Sequence, residues 1–139
     1  AKHQGRDCAN APGAGAAGGL GYAFMEFMDA KVESGADLVL QASGFDEALN
    51  ASEKPQFVVT GEGSADAQTL MGKLPSIILK HCKAMDIPVI LVAGHIKDRD
   101  QLLEAGFEKV IDINAGLEMG HAMDKDVASQ RIENAMHLK

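Results

Sequence analysis

The sequence predicts an α/β fold, part of a doubly wound parallel sheet of the flavodoxin or Rossmann kind with flanking helices. Three observations predict it. Phe57-Val58-Val59-Thr60, Val89 to Ala93 and Lys109 to Ile113 are short β-type or apolar runs. The segments between and after them carry apolar residues at helical spacing. Alternation of this kind implies parallel strands joined by right-handed crossovers.

Each element has a local reason. Ala17, Leu20, Phe24, Phe27 and Met28 recur at three- and four-residue steps and predict a helix from the glycine cluster to about Met28. Asp37 to Ala42 fits strand or helix, Phe45 to Leu49 reads as helix, and Asn50 to Pro55 as loop. The first strand is expected to end at Thr60, before Gly61-Glu62-Gly63. Pro75 suits the first turn of a helix reaching about Met85, with Ile78, Cys82 and Met85 on one side. Val89 to Ala93 is continuous and apolar, as in a strand buried on both faces, and Gly94 ends it.

Asp98 with Gln101 resembles a capping pair ahead of Leu102, Leu103 and Ala105, and Gly106 stands where a C-cap glycine belongs. After the strand Lys109–Ile113, Asp124 or Asp126 would cap a last helix bearing Ala128, Ile132 and Ala135. In parallel sheets ligands sit beyond the carboxyl ends of strands, which directs attention to the loops after Thr60, Ala93 and Ile113.

Composition narrows the function. Of 139 residues, 46% are hydrophobic and 24% charged, so a folded domain is expected and a disordered or collagen-like chain is excluded. Thirteen basic and 20 acidic residues give a net charge of −7, and the basic ones are scattered, which argues against a nucleic-acid partner. No apolar run approaches membrane-spanning length and no signal peptide is visible, so a cytoplasmic protein without a membrane partner is expected. Cys8 and Cys82 are too far apart for a CxxC site, and free thiols are the default. The histidines show no zinc-ligand spacing.

Two strings carry chemistry. Gly13-Ala14-Gly15-Ala16-Ala17-Gly18 matches G-x-G-x-x-G, yet Cys8 to Pro12 forms no strand before it, as a dinucleotide fold would require. Two compatible readings remain: small residues that let a helix pack closely, or exposed N–H groups that hold a phosphate or carboxylate. Thr60-Gly61-Glu62-Gly63-Ser64-Ala65-Asp66-Ala67-Gln68-Thr69 follows a strand, and its glycines leave the backbone free to approach a ligand. Glu62 and Asp66 suit a metal or a proton. The bland alternative is that Asp66 only caps the next turn. Lys73 follows Gly72 without a P-loop string, and beside Glu62 and Asp66 it is a candidate phosphate contact. His95 follows Gly94 at a strand end, while His81 reads as structural.

Pro12-Gly13-Ala14-Gly15-Ala16-Ala17-Gly18-Gly19-Leu20-Gly21 and Thr60-Gly61-Glu62-Gly63-x-x-Asp66-Ala67-Gln68-Thr69-x-x-Gly72-Lys73-x-Pro75, in this order, resemble the signatures of bacterial glycerate kinases. Pro88-Val89 to Ala93-Gly94 is similar as well. The family's proteins are longer and have two α/β domains around a cleft. The resemblance therefore implies that residues 1–139 are one α/β segment from the C-terminal part. Residues 1–34 would form the glycine-rich loop and helix near that cleft, and residues 35–139 the βα-repeating portion. It also implies transfer of the γ-phosphoryl of ATP to D-glycerate with Mg2+, giving a phosphoglycerate.

On this resemblance Asp66 would orient or deprotonate the attacking hydroxyl or hold it through magnesium. Glu62 would help bind magnesium, directly or through water, and Lys73 would neutralise charge on the transferred group. Gly13, Gly15, Gly18, Gly19, Thr60, Gly61, Gly63 and Ser64 would line the substrate and phosphate sites. Ser64 is a departure, since the family commonly has arginine there. The runner-up is a non-catalytic flavodoxin-like domain binding an anion or a partner. Self-association through a sheet edge or interdomain face left open is a further expectation.

Overall fold

Residues 8–116 and 125–136 are described by the structure, a computed structural model. The chain divides into two compact units, residues 1–42 and 43–139.

In the first unit, turns over residues 9–15 lead into α1 (Ala16–Met28), followed by α2 (Gly35–Ala42). No strand precedes Gly13 among the described residues, which counts against a dinucleotide-binding turn. The expected helix start near Ala17 needs correction. Ala17, Gly18 and Gly19 have φ of 50°, 69° and 97°, so three consecutive left-handed residues interrupt the helix. Glycine permits this at two of the three positions. The ambiguous run 37–42 is helical, and the Asp37 amide donates to the Ser34 hydroxyl at 3.3 Å, as at a capped N-terminus.

The second unit is built on a three-stranded parallel sheet in the order β1 (Val58–Glu62), β2 (Val89–Ala93), β3 (Lys109–Asp112). The short α3 (Phe45–Leu49) precedes it. A 3-10 turn (Ala67–Leu70) and α4 (Leu74–Lys83) connect β1 to β2, and α5 (Arg99–Ala105) connects β2 to β3. The final helix, α6, spans Lys125–Met136.

Register pairs Val58 with Val89, Thr60 with Leu91 and Glu62 with Ala93, then Leu91 with Val110 and Ala93 with Asp112. Strand side chains alternate, so these residues share one face. Thr60, Val89, Leu91, Ala93 and Val110 are buried there. Successive right-handed crossovers in one direction put α4 and α5 on this side. Helix α4 contacts β1 and β2, and α5 contacts β3. Their buried residues, Ile78, Leu79, Cys82 and Leu102, complete the core. Each fully buried Leu or Val stabilises the fold by about 1.5–3 kcal/mol. Lys80, His81 and Lys83 lie in the last turn of α4, where cations complement the helix dipole.

The opposite face carries Val59, Gly61, Ile90, Val92 and Ile111, none of them fully buried. Ile132 of α6 lines a depression of about 340 Å³ there with Val59, Gly61, Val92 and Ile113. The Arg131 guanidinium donates to the Ile113 carbonyl at 2.8 Å.

Several boundaries differ from expectation: β1 starts at Val58 and not Phe57, and β3 ends at Asp112, one residue before the expected Ile113. Strand β1 continues through Gly61 and Glu62, so these are strand residues and not loop residues. Gly61 pairs with Val92, and a Cβ there would meet the Val92 carbonyl oxygen at 2.8 Å. Helix α4 ends at Lys83, two residues before the expected Met85. Asp126 lies inside the first turn of α6 and does not precede it, whereas Asp124 falls outside the described residues. Gly106 is the left-handed C-cap of α5, as expected, with φ of 114°.

Candidate active site

The carboxyl end of β1 delivers Glu62 into a polar cluster. Thr69, fully buried on the 3-10 turn, donates its hydroxyl to Glu62 Oε1 at 2.6 Å. Lys73 Nζ lies 3.5 Å from Glu62 Oε2. The same Thr69 oxygen accepts from the Asp66 amide at 3.1 Å, and Asp66 Oδ1 accepts from the Gln68 amide at 2.8 Å. Asp66 and Thr69 thereby close a reciprocal capping box on the turn. The bland reading of Asp66 as a cap is a fact of the geometry. The cap engages the Asp66 carboxylate with two amides, those of Gln68 and Thr69.

Lys73 is the N-cap residue of α4, with Pro75 within the first helical turn. Its side chain is about two-fifths exposed, while the Glu62 side chain is largely covered. Lys73 thus combines a fixed carboxylate partner with access to a ligand.

The next two loops pack against this segment. The Ala65 amide donates to the His95 carbonyl at 2.9 Å, and the Lys97 amide to the Ala65 carbonyl at 2.8 Å. Ala65 and Ile96 form a parallel bridge beyond the ends of the strands. A Cβ on Gly94 would meet the Gly63 carbonyl oxygen at 2.8 Å, so this glycine is needed for close approach of the two loops. Asp112 Oδ2 accepts from the Ile96 amide at 3.2 Å, and Oδ1 from the Asn114 amide at 2.9 Å. Asn114 Nδ2 donates to the Gly94 carbonyl at 2.8 Å. The His95 ring is mostly exposed, its Nδ1 3.9 Å from Asp112 Oδ2, beyond hydrogen-bond reach.

Asp98 departs from its expected role. It occupies the N-cap position of α5 with φ of 47° and makes no side-chain cap to its own helix. Its Oδ2 accepts instead from the Ala67 amide at 3.2 Å.

The structure therefore brings Glu62, Asp66 and Lys73 onto one frame. Gly61 lies beside them in the strand, Gly63 sits against Gly94, Ser64 is exposed, and Thr60 faces the core. Gly13, Gly15, Gly18 and Gly19 belong to the first unit. There the Gly13 carbonyl approaches Gly21 so closely that a Cβ on Gly21 would lie 2.1 Å away, as the packing reading predicts. A Cβ on Gly15, Gly18 or Gly19 would meet no atom within 4 Å. Asp98, Asp112 and Asn114 were not among the candidate site residues. Their signal was position at the ends of β2 and β3 or just beyond.

Both Glu62 oxygens are engaged, by a hydroxyl and by an ammonium, so Glu62 does not fit a direct ligand of magnesium. The Asp66 carboxylate is a hard oxygen donor whose hydrogen bonds come from two neutral amides and not from a cation. Magnesium binds through one or two carboxylates plus phosphate oxygens and waters, and Asp66 fits that share. No group of three or more His, Cys, Asp or Glu residues gathers into a metal cage among the described residues.

Burial pushes the Cys82 thiol up, and Cys8 and Cys82 form no disulfide among the described residues. His81 Nδ1 lies 2.8 Å from Asp46 Oδ1, joining α4 to α3 away from the cluster. The larger surface depression, about 650 Å³, lies among Phe57, Pro88, Ile90, Leu103 and Ile111. It includes the residues just before the strands and lies away from the polar cluster, so it is not the candidate site. Among the described residues no helix is long and apolar enough to cross a membrane.

Comparison with known proteins agrees with the motifs. The glycerate kinase family profile matches residues 1–137. A glycerate kinase from Halalkalibacterium halodurans is 43% identical over 127 residues, 91% of this chain and 32% of that protein. A glycerate kinase from Bacillus subtilis is 38% identical over 105 residues, covering 75% of this chain and 27% of the relative. The glycerate 2-kinase of Escherichia coli is 39% identical over 92 residues, 66% of this chain and 23% of its own length. The chain thus spans about a third or less of the relatives it matches. A crystal structure of a candidate glycerate kinase 2 from Salmonella typhimurium LT2 superposes with a TM-score of 0.52 at 28% identity, over 91% of this chain and 33% of that one. By its motifs, its fold and the match over nearly its whole length, the chain belongs to the glycerate kinase family.

Proposed function

We propose that the intact protein transfers the γ-phosphoryl group of ATP to D-glycerate, and that Asp66 and Lys73 act in the transfer. The observation that carries this reading is the Glu62–Thr69–Asp66 frame with Lys73 docked on it at 3.5 Å. Phosphoryl transfer needs positioned groups and charge neutralisation more than covalent chemistry. The Asp66 carboxylate takes the proton of the attacking glycerate hydroxyl. The hydroxyl oxygen bonds to the γ-phosphorus as the bond to the bridging oxygen of ADP breaks.

Lys73 balances the charge on the transferred group, and Glu62 holds Lys73 and Thr69 in place. Magnesium bound with the nucleotide would supply further neutralisation of phosphate charge; were Asp66 to hold that ion, it would orient the hydroxyl through the metal and not take its proton. The left-handed run Ala17-Gly18-Gly19 supports the assignment of Gly13, Gly15, Gly18 and Gly19 as N–H donors to a phosphate or carboxylate. On this reading the protein works in the cytoplasm, where ATP is supplied.

A second reading, a non-catalytic anion-binding domain, is favoured by the capping role of Asp66. One experiment separates the two: ADP release by the intact protein with ATP, Mg2+ and D-glycerate, against the same mixture lacking glycerate. Glycerate-dependent ADP and phosphoglycerate support the kinase. ATP binding without glycerate-dependent turnover in a folded protein overturns it in favour of the binding domain.

A further inference from the structure

We infer that Asp98 is a positioning residue for Asp66, acting across from the loop after β2. The inference rests on the proposed role of Asp66. An aspartate at an N-cap normally accepts from the amides of its own helix. Asp98 makes no such bond, and its φ of 47° places it in a region that costs a non-glycine residue energy. In that conformation its Oδ2 accepts from the Ala67 amide at 3.2 Å.

Ala67 directly follows Asp66. Asp66 is therefore flanked by two held amides: its own, which donates to Thr69 Oγ1 at 3.1 Å, and that of Ala67, which donates to Asp98. With the Gln68 amide on Asp66 Oδ1 at 2.8 Å and the Thr69 amide on the same carboxylate, the remaining rotation of the Asp66 side chain is confined.

The support is itself fixed. The loop carrying Asp98 is tied to Ala65 by two backbone hydrogen bonds, and its Ile96 amide is held by Asp112 Oδ2. Ala65 is completely buried between them. A carboxylate presented from a braced loop is a means of placing a reacting group to a fraction of an ångström. Small misplacements of such groups lower turnover steeply.

Three proteins test this: wild type, Asp98→Gly and Asp98→Asn. Glycine adopts the same φ without strain but offers no acceptor, whereas asparagine tolerates that φ and keeps a carbonyl for Ala67. Asp98→Gly is expected to lower kcat about 10-fold with KM for ATP and glycerate within about 2-fold, and with no fall in Tm. Asp98→Asn restores kcat to within about 3-fold of wild type. Amide hydrogen exchange at Ala67 accelerates about 5- to 10-fold in Asp98→Gly and not in Asp98→Asn.

Wild-type kcat together with wild-type Ala67 exchange in Asp98→Gly would overturn the inference, as would a loss of kcat that Asp98→Asn fails to restore. Accelerated Ala67 exchange with unchanged kcat would overturn it too, leaving a structural contact only. Absence of turnover in the wild type contradicts the kinase reading instead, and the Ala67 exchange then judges the Asp98 contact alone.

Discussion

The buried Thr69 hydroxyl joins the Glu62 carboxylate at 2.6 Å, linking the last residue of the first strand to the turn that carries Asp66. Thr69 Oγ1 also accepts from the Asp66 amide. Thr69→Val keeps the shape and removes both bonds, leaving a largely covered carboxylate oxygen and an amide unpaired. The expected loss is about 1–3 kcal/mol, read as a Tm lower by several degrees. Thr69→Ser retains the hydroxyl and loses only a buried methyl, worth about 1 kcal/mol. Equal melting of the valine variant and the wild type would show that the hydroxyl has no structural part.

Lys73 separates function from stability. Its pair with Glu62 is partly exposed, and such pairs contribute less than about 1 kcal/mol. Lys73→Met is therefore expected to melt close to wild type while kcat/KM for ATP falls about 100-fold, from lost charge neutralisation. Steady-state kinetics beside a thermal melt checks both halves. A large fall in Tm with unchanged kinetics would make Lys73 a structural residue.

Gly94→Ala tests the approach of the loops. The new methyl would sit 2.8 Å from the Gly63 carbonyl oxygen, a backbone atom, and 3.4 Å from Asn114 Nδ2. Urea denaturation should show a loss of about 1–3 kcal/mol. Gly15→Ala is the control: no atom lies within 4 Å of its Cβ and its φ is −77°, so stability changes by less than about 1 kcal/mol.

Cys82 sets an alkaline limit on stability. Burial holds its thiol above its ordinary value of 9.0. As pH rises through that value the unfolded chain releases its thiol proton first. The folded state then binds more protons than the unfolded, and stability falls with rising pH until the folded thiol also ionises. Below that value this contribution is constant. Denaturation midpoints between pH 7 and pH 10 should decline less steeply for Cys82→Ala than for wild type, although the variant is less stable throughout. Parallel declines would assign the slope to other groups.

Much of the fold was legible because each strand holds a short apolar or β-branched run between helical segments. Val89–Ala93 coincides with its strand because all five residues are apolar and Pro88 and Gly94 flank them. The turn at Asp66 was legible because its bonds span two and three residues.

What escaped the sequence is non-local. Asp98 reaches Ala67 across 31 residues and Asp112 reaches Ile96 across 16, and no local pattern encodes either bond. Asp98 with Gln101 had the form of a cap, but the left-handed backbone at Asp98 turned its carboxylate to another loop. The left-handed run at Ala17-Gly18-Gly19 was concealed by helical spacing of the apolar residues, while glycine permissiveness governs the backbone there. Strand β1 extends past Thr60 because a glycine can continue a ladder when its neighbour's carbonyl crowds the Cβ position.

The most direct test of the central claim is glycerate-dependent ADP production by the intact protein beside its Asp66→Asn variant. Asparagine is as good a cap as aspartate and keeps an acceptor for the Gln68 amide, so the turn and the Tm are preserved. If Asp66 takes the hydroxyl proton, turnover falls about 10²- to 10⁴-fold in a variant that melts like the wild type. Turnover within about 3-fold of wild type would contradict the account and leave Asp66 as a cap alone.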